Sequence, residues 1–303
     1  MINEKNLFCV LLSTYNGEKY LYDLLKSLED QDIPINLFVR DDGSIDKTRD
    51  ILNEFAQTRE WVTLIFGENI GVIKSFFTLL QVSTQFSYYA FCDQDDIWLS
   101  DKISRAYNFL KEYPSTSPNL YFSRLTAVNG SLEFIREGRN FHCTFIQCVF
   151  KNYAPGCTMV INSKAREFLL KYNFLEIRMH DWWILQVLNG VGNVVFDNES
   201  RLLYRIHDSN TVGINKNTIT KWCKRFSRFS YHKYHYIIQQ AKLLLHHYGN
   251  ELHPDNRIIL AEFIAAYEGS LVYKLKFCLK PYRIGSNKTE EMLFRLMIIF
   301  RLL

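Results

Sequence analysis

The stretch "LFCVLLSTYNGEKYLYDLLKSLEDQ" (residues 7–31) governs the reading of this chain. Its opening, "LFCVLL" (7–12), is a short unbroken apolar run, the pattern of a strand buried on both faces of a sheet. A polar turn, "STYNGE" (13–18), follows, and then Leu21, Leu24, Leu25 and Leu28 recur on one helical face. The unit returns downstream. "INLFVR" (35–40) predicts a strand and "SIDKTRDILNEFAQ" a helix capped by Ser44 or Asp46. "WVTLIFG" (61–67) and "GVIKSFFTLLQVS" predict another strand and helix, and "SYYAFC" (87–92) a fourth strand. Such alternation predicts an α/β fold with a Rossmann-like, mostly parallel sheet flanked by helices.

The pattern loosens in the next section. Asn129-Gly130 sits between two strand-like runs, which signals a tight hairpin. "PGCTMVIN" (155–162) predicts a strand and is followed by a helix from Ser163 to about Lys171. A further helix opens near Asp181, and "RLLYRIH" (201–207) reads as a last strand. From Ile214 onward the chain turns helical, basic and aromatic. Up to Gly213 there are 21 Lys+Arg against 26 Asp+Glu, or −5; beyond it there are 15 against 6, or +9, giving the net +4. The break predicts two regions with different work, a first domain over 1–213 and a basic helical extension over 214–303.

With 303 residues, 48% of them hydrophobic and 15% aromatic, the chain can bury a full core and is not a disordered one. Its seven cysteines form no CxxC pair, which predicts reduced thiols and neither a zinc site nor a disulfide framework. The N-terminus lacks a basic segment followed by a long apolar one, and no apolar run is long enough to span a bilayer. A cytoplasmic protein is expected.

In an open parallel sheet, ligands bind beyond the carboxyl ends of the strands. "STYNGE" (13–18), "RDDGS" (40–44) and "DQDD" (93–96) all stand there. Any one of them could be a solvated turn, since Asp favours turns for its own hydrogen-bonding reasons. Three at equivalent strand ends point to one shared site. Neither the GxGxxG fingerprint nor a Walker motif is present, so dinucleotide and ATPase readings lose ground. Asp93 and Asp95 are spaced to share a metal and a sugar hydroxyl. Hard oxygen ligands and few histidines favour Mg2+ or Mn2+ over zinc.

Taken together, "STYNGEKYLYDLLKSLEDQ", "VRDDGSIDKTRDIL", "NIGVIKSF" and "FCDQDDIWLSDKI" resemble family-2 glycosyltransferases of the GT-A fold. "PGCTMVIN", "HDWW" and "LLYRIHDSNTVG" resemble the bacterial rhamnosyltransferase branch of that family. The resemblance implies an inverting, metal-dependent hexosyltransferase using a nucleotide-diphosphate sugar, with dTDP-L-rhamnose as the donor suggested by the branch. It also implies a lipid-linked saccharide acceptor, as in O-antigen or capsule assembly. By position, Thr14, Tyr15 and Asn16 would line the nucleotide pocket, and Asp42 would hold the base or ribose with Asp41 beside it. Asp93 and Asp95 would contact ribose and metal-diphosphate, while Asp96 and Trp98 would shape the sugar pocket. Asp181 would be the catalytic base, His207 would complete the metal shell or touch the diphosphate, and Arg205 would balance phosphate charge. The residue before the base, acidic in much of the family, is His180 here. Without the resemblance, Asp181 reads equally as a helix N-cap. Trp182 and Trp183 cannot share a helix face, so one is expected to pack and one to face the acceptor.

The basic extension has three readings. Trp222, Phe226 and Phe229 with Lys221, Lys224, Arg225 and Arg228 partly fit a membrane-surface helix, as does "EMLFRLMIIFRLL". A helical subdomain packed on the catalytic domain, or a homodimer contact, is the second. A nucleic-acid surface is the third, and without a recognisable motif no nucleic-acid partner is expected. The favoured expectation is a peripheral enzyme on the cytoplasmic face of the inner membrane. The rivals are a transferase using a UDP-hexose, a nucleotidyltransferase, and a non-catalytic sugar-binding protein of the same fold. The second would want a phosphate loop richer in Gly, Arg and Lys than "STYNGE".

Overall fold

The computed structural model describes residues 7–138, 143–172, 176–207 and 235–303. Strands β1 (Phe8–Thr14), β2 (Asn36–Asp41), β3 (Val62–Phe66) and β4 (Tyr88–Asp93) alternate with helices α1 (Leu21–Glu29), α2 (Thr48–Ala56) and α3 (Val72–Val82). The chain continues through β5 (Ile97–Trp98), α4 (Lys102–Leu110), β6 (Asn119–Val128), β7 (Phe134–Glu137), α5 (Phe145–Phe150), β8 (Met159–Asn162), α6 (Ser163–Leu170), α7 (His180–Val191) and β9 (Asn193–Arg205). Four helices close it: α8 (His235–Tyr248), α9 (Pro254–Glu268), α10 (Leu271–Cys278) and α11 (Lys288–Ile299).

The sheet has nine strands in the order β3-β2-β1-β4-β8-β6-β9-β5, with β7 paired to β6. The expected parallel arrangement covers β3, β2, β1 and β4. Past β4 the sheet is mixed, because β8 runs antiparallel to both β4 and β6 while β6 and β9 are parallel. Register levels the strand ends. Thr14 pairs with Asp41 and Ser13 with Asp93, so the loops after β1, β2 and β4 leave the sheet side by side.

Alternating residues of β1 feed two cores. Phe8, Val10 and Leu12 join Leu24, Leu25, Val39 and Ile103 on one face, while Cys9 and Leu11 join Phe76, Phe91 and Trp183 on the other. Burial on both faces explains the unbroken apolar run. The second core continues into the C-terminal helices through Leu244, Phe263, Phe277 and Ile298. Polar ties reinforce that joint: Gln240 Nε2 donates to Gln186 Oε1 at 3.0 Å, and Gln147 Nε2 to Gly285 O at 2.8 Å. Residues 221–229, on which the membrane-surface reading rests most heavily, lie outside the described residues.

Several local expectations are corrected. α2 begins at Thr48, so neither Ser44 nor Asp46 is its cap residue; Asp46 Oδ1 accepts the Thr48 N–H, and Ser44 turns to Asp41 instead. The Asn129-Gly130 hairpin closes through a longer loop, with Asn129 N donating to Glu133 O and the positive φ falling on Leu132. Trp182 and Trp183 are both buried, Trp182 donating its Nε1–H to Cys148 O at 2.6 Å, so neither is presented to an acceptor cleft. β9 begins at Asn193, well before the predicted 201, and buries Asp197 against Arg105 and Tyr121.

Candidate active site

The loop after β1 is held by its neighbours. Asn16, at φ 49°, donates its N–H to Ser44 Oγ at 2.9 Å and accepts the Ile45 N–H at 3.0 Å. Tyr15 N donates to Gln94 Oε1 at 2.8 Å, and Gln94 Nε2 returns a bond to Tyr15 O at 3.0 Å. A side chain at Gly17 would collide with that Gln94 amide, which is why glycine stands there. The Tyr15 side chain is exposed. The loop thus fixes its backbone while leaving the ring free to meet a ligand.

Asp41 and Asp42 are both buried, and both are engaged by the chain itself. Asp41 accepts from Thr14 Oγ1 at 3.1 Å, Ser44 N at 3.0 Å and Arg49 Nε at 2.6 Å. Burial alone would push its carboxyl up, but these donors outweigh it and hold it below the usual carboxylate range. Asp42 is ion-paired with buried Arg40 and accepts the N–H groups of Ile70 and Gly71, each at 2.8 Å. It therefore anchors the "NIG" turn, where Gly71 at φ 84° needs glycine's freedom. The structure shows these two aspartates as loop anchors.

The acidic loop after β4 meets α7 and β9. Asp93 is pushed up to about 7 by burial and by the charges of Asp95 and Asp181, with Cys157 partly opposing. Three carboxylates from two distant segments thus share one neighbourhood. Asp96 is buried; its Oδ1 accepts the Arg205 N–H at 3.2 Å, and its Oδ2 has no hydrogen-bond partner. Burial and the charges of Asp95 and Asp93 raise its carboxyl. Asp95 contacts His207, Oδ2 to Nε2, at 2.7 Å.

Asp181 lies in the first turn of α7, with Met179 as the cap residue, so the N-cap reading is corrected. Its Oδ2 accepts the Gly156 N–H at 3.2 Å and its Oδ1 the Trp182 N–H at 2.7 Å. His180 is buried, stacks on Phe76 at 4.3 Å between ring centroids, and has neither nitrogen hydrogen-bonded. Burial lowers its pKa, the Asp181 charge opposing, which keeps the ring neutral at pH 7. A Cβ at Gly156 would stand 2.8 Å from His180 Nε2 and 3.4 Å from Asp181 Cβ. The absence of a side chain at Gly156 leaves room for the His180 ring, and its N–H holds the Asp181 carboxylate.

Two predicted residues sit differently from expectation. Trp98 is buried in β5, with the Lys102 ammonium 4.0 Å from its ring centroid, so its ring does not wall an open pocket. Arg205 is buried too, donating to Asp95 O at 3.0 Å and Gly130 O at 2.8 Å and lying 4.4 Å from the Tyr20 ring centroid. It tethers the acidic loop, and its guanidinium is not presented openly to a phosphate. Sequence reading missed Gln94, Lys102 and Cys157. Lys102 is buried with no hydrogen-bond partner at Nζ, and burial pulls it down to about 8 against the raising effect of Cys157, Cys92 and Asp96.

Among the described residues, Asp93, Asp96 and Cys157 offer ligand atoms within 4.8 Å of one another. The expected set of Asp93, Asp95 and His207 does not meet within that distance, although Asp95 and His207 are in contact. The unpartnered Asp96 oxygen and the hard carboxylates suit a divalent cation of the Mg2+ or Mn2+ type. The Cys157 thiol, raised by burial and by Asp96 and Asp93, keeps its proton and suits it poorly.

The model for glycosyl transferase family 2 matches residues 9–164, the stretch that carries all three loops. The chain belongs to that family. The dTDP-rhamnosyl transferase RfbG of Shigella flexneri is 28% identical over 309 aligned residues, covering 96% of this glycosyltransferase and 100% of that protein. The putative teichuronic acid biosynthesis glycosyltransferase TuaG of Bacillus subtilis is 34% identical over 114 residues, 37% of this chain and 45% of that one. Among solved structures, S. aureus TarS 1-349 superposes with a TM-score of 0.58 at 17% identity, covering 98% of this chain and 80% of that one. The mannosyltransferase PcManGT of Pyrobaculum calidifontis, in complex with GDP-Man and Mn2+, gives 0.52 at 15% identity, with 97% and 86% covered. The family match and these likenesses bear out a family-2 glycosyltransferase of the GT-A fold, similar along nearly its whole length to a rhamnosyl transferase.

Proposed function

We propose that this glycosyltransferase moves L-rhamnose from dTDP-L-rhamnose to a lipid-linked saccharide, with inversion, at the cytoplasmic face of the inner membrane. The likeness to RfbG along nearly the whole chain supports the donor. The observation that carries the site is the raised Asp93, whose carboxyl feels both Asp95 and Asp181. Like charges crowd together only where a cation or a proton relieves them.

In this reading Asp93, Asp95 and Asp96 hold Mg2+ or Mn2+, with His207 steering Asp95. The ion would neutralise the departing diphosphate. Thr14, Tyr15 and Asn16 form the wall against which the nucleotide lies. Asp181 accepts the proton of the acceptor hydroxyl, whose oxygen attacks the anomeric carbon from the side opposite the diphosphate. A base in that role must lie within hydrogen-bond reach of the hydroxyl, and the Gly156 and Trp182 N–H groups fix its carboxylate in place.

The test is a donor screen with dTDP-rhamnose, UDP-hexoses and GDP-mannose in Mg2+ or Mn2+, on wild type and Asp181→Asn. Consumption of dTDP-rhamnose alone, lost in the variant with donor binding kept, agrees with the proposal. Consumption of UDP-sugars alone would move the donor to the hexose reading. An Asp181→Asn enzyme of full activity would remove the base.

A further inference from the structure

α10 faces the wrong way for a helix bathed in water. Leu271, Leu275 and Leu279, one turn apart and the last at the helix C-cap, are 56%, 44% and 86% exposed. Val272 and Tyr273 beside them are exposed as well. The lysine of the same helix points inward: Lys274 is buried, donating its Nζ to Ile299 O at 3.3 Å. α11 repeats the pattern, with Met292, Leu296 and Phe300 at the same spacing and exposed by 59%, 42% and 66%. The two helices run antiparallel, since Lys274 meets Ile299 and Cys278 Sγ meets Arg295 O.

The charge around these stripes is one-sided. From Leu271 to Leu303 there are seven Lys/Arg and two Asp/Glu, a net +5. Both acids are engaged internally, Glu290 with Lys151 and Glu291 with Arg295 and the N–H groups of Ile284 and Gly285. Lys276, Arg283 and Lys288 remain exposed at the surface. A second copy would bring the same positive charge to the contact and be repelled. An anionic bilayer offers apolar depth for the leucines and negative headgroups for the cations.

We infer that the exposed apolar stripes of α10 and α11, with their surrounding lysines and arginines, dock the enzyme on an anionic lipid surface. The inference deepens the proposed function and rests on its membrane-borne acceptor, while assigning the docking to residues 271–300, which overlap the stretch "EMLFRLMIIFRLL" (291–303), and not to 221–229.

The test uses the full chain and co-sedimentation with phosphatidylcholine vesicles, with and without phosphatidylglycerol. Wild type is expected on the phosphatidylglycerol vesicles and released by salt. The variant Leu271→Gln/Leu275→Gln/Leu279→Gln should bind at least about tenfold more weakly, as interfacial affinity follows buried apolar area. Lys276→Glu/Lys288→Glu should weaken binding to phosphatidylglycerol vesicles alone. Melting temperature checks folding, and Leu279→Gln by itself provides a minimal change. Undiminished binding by the leucine variants would overturn the inference. So would loss of binding only on reversing Lys221, Lys224, Arg225 and Arg228, or light scattering that shows a dimer the leucine variant dissolves. Transfer to a short water-soluble saccharide should be unchanged in the leucine variants. A wild type that binds vesicles through the stripes but transfers no sugar would sink the transferase reading and leave the docking intact.

Discussion

The imidazole Nε2 of His207 lies 2.7 Å from Oδ2 of Asp95, joining the end of β9 to the acidic loop after β4. The Tyr20 ring stands 5.0 Å from the imidazole, between centroids, and 4.4 Å from the Arg205 guanidinium, so α1 backs the same junction. An acidic loop in water would be splayed by its own charge; here a histidine and an arginine of one strand end hold it closed. His207→Ala should therefore raise the concentration of Mn2+ needed for half-maximal transfer by about tenfold, as losing an outer-shell partner does at other metal sites. A metal titration of transfer rate checks this, and an unchanged requirement would separate His207 from the cation.

Asp42 is predicted to matter for stability before it matters for binding. Asp42→Ala strands the buried Arg40 guanidinium and frees the Ile70 and Gly71 N–H groups. Removing one partner of a buried pair costs about 3–5 kcal/mol, readable in urea unfolding. A fully stable Asp42→Ala protein with weak nucleotide binding would mean that the carboxylate serves the ligand alone.

The Arg105–Asp197 pair predicts a pH signature. Burial pushes Asp197 up, but the Arg105 guanidinium, the Glu199 N–H and the Tyr121 hydroxyl more than offset it, leaving the folded-state pKa lowered. A lowered folded-state pKa adds stability above the unfolded value of about 3.9, and that stability is lost as pH falls through the folded value. Asp197→Asn should thus be clearly less stable than wild type at pH 7, the gap narrowing in acid. Chemical unfolding across that range is the check, and a gap that stays constant would contradict it.

How much of this was legible beforehand depends on the range of the physics. The polar loops after β1, β2 and β4 were readable because strand alternation places their ends in register, and Asp181 stood out through its resemblance to a known pattern. The contacts that hold the site together were not readable. Gln94 clasps Tyr15 across 79 positions, and Arg205 reaches Asp95 across 110. Trp98, expected at a sugar pocket, and Lys102, a charged residue in a polar stretch, are both buried. The early part of β9 escaped because Asp197 and its polar neighbours interrupt the apolar signal, their satisfaction coming from Arg105 and Tyr121 far away in sequence.

Gly156→Ala is predicted to lower kcat by about ten- to a hundredfold with little change in KM for the donor, since small displacements of a positioned base are costly. The added methyl would press on Nε2 of His180, the residue next to Asp181. Steady-state kinetics distinguish the outcomes: a change confined to KM would place Gly156 in donor binding instead.

We propose that Asp93, Asp95 and Asp181, whose charges act on one another, border one site where a divalent cation neutralises them. Mn2+ binding followed by electron paramagnetic resonance, with nucleoside diphosphate present, tests it most directly on wild type, Asp93→Asn and Asp95→Asn. The account predicts a bound ion in wild type, weakened by at least about tenfold in both variants, and transfer abolished by chelator. Equal Mn2+ binding in all three proteins, with transfer persisting in chelator, would contradict it.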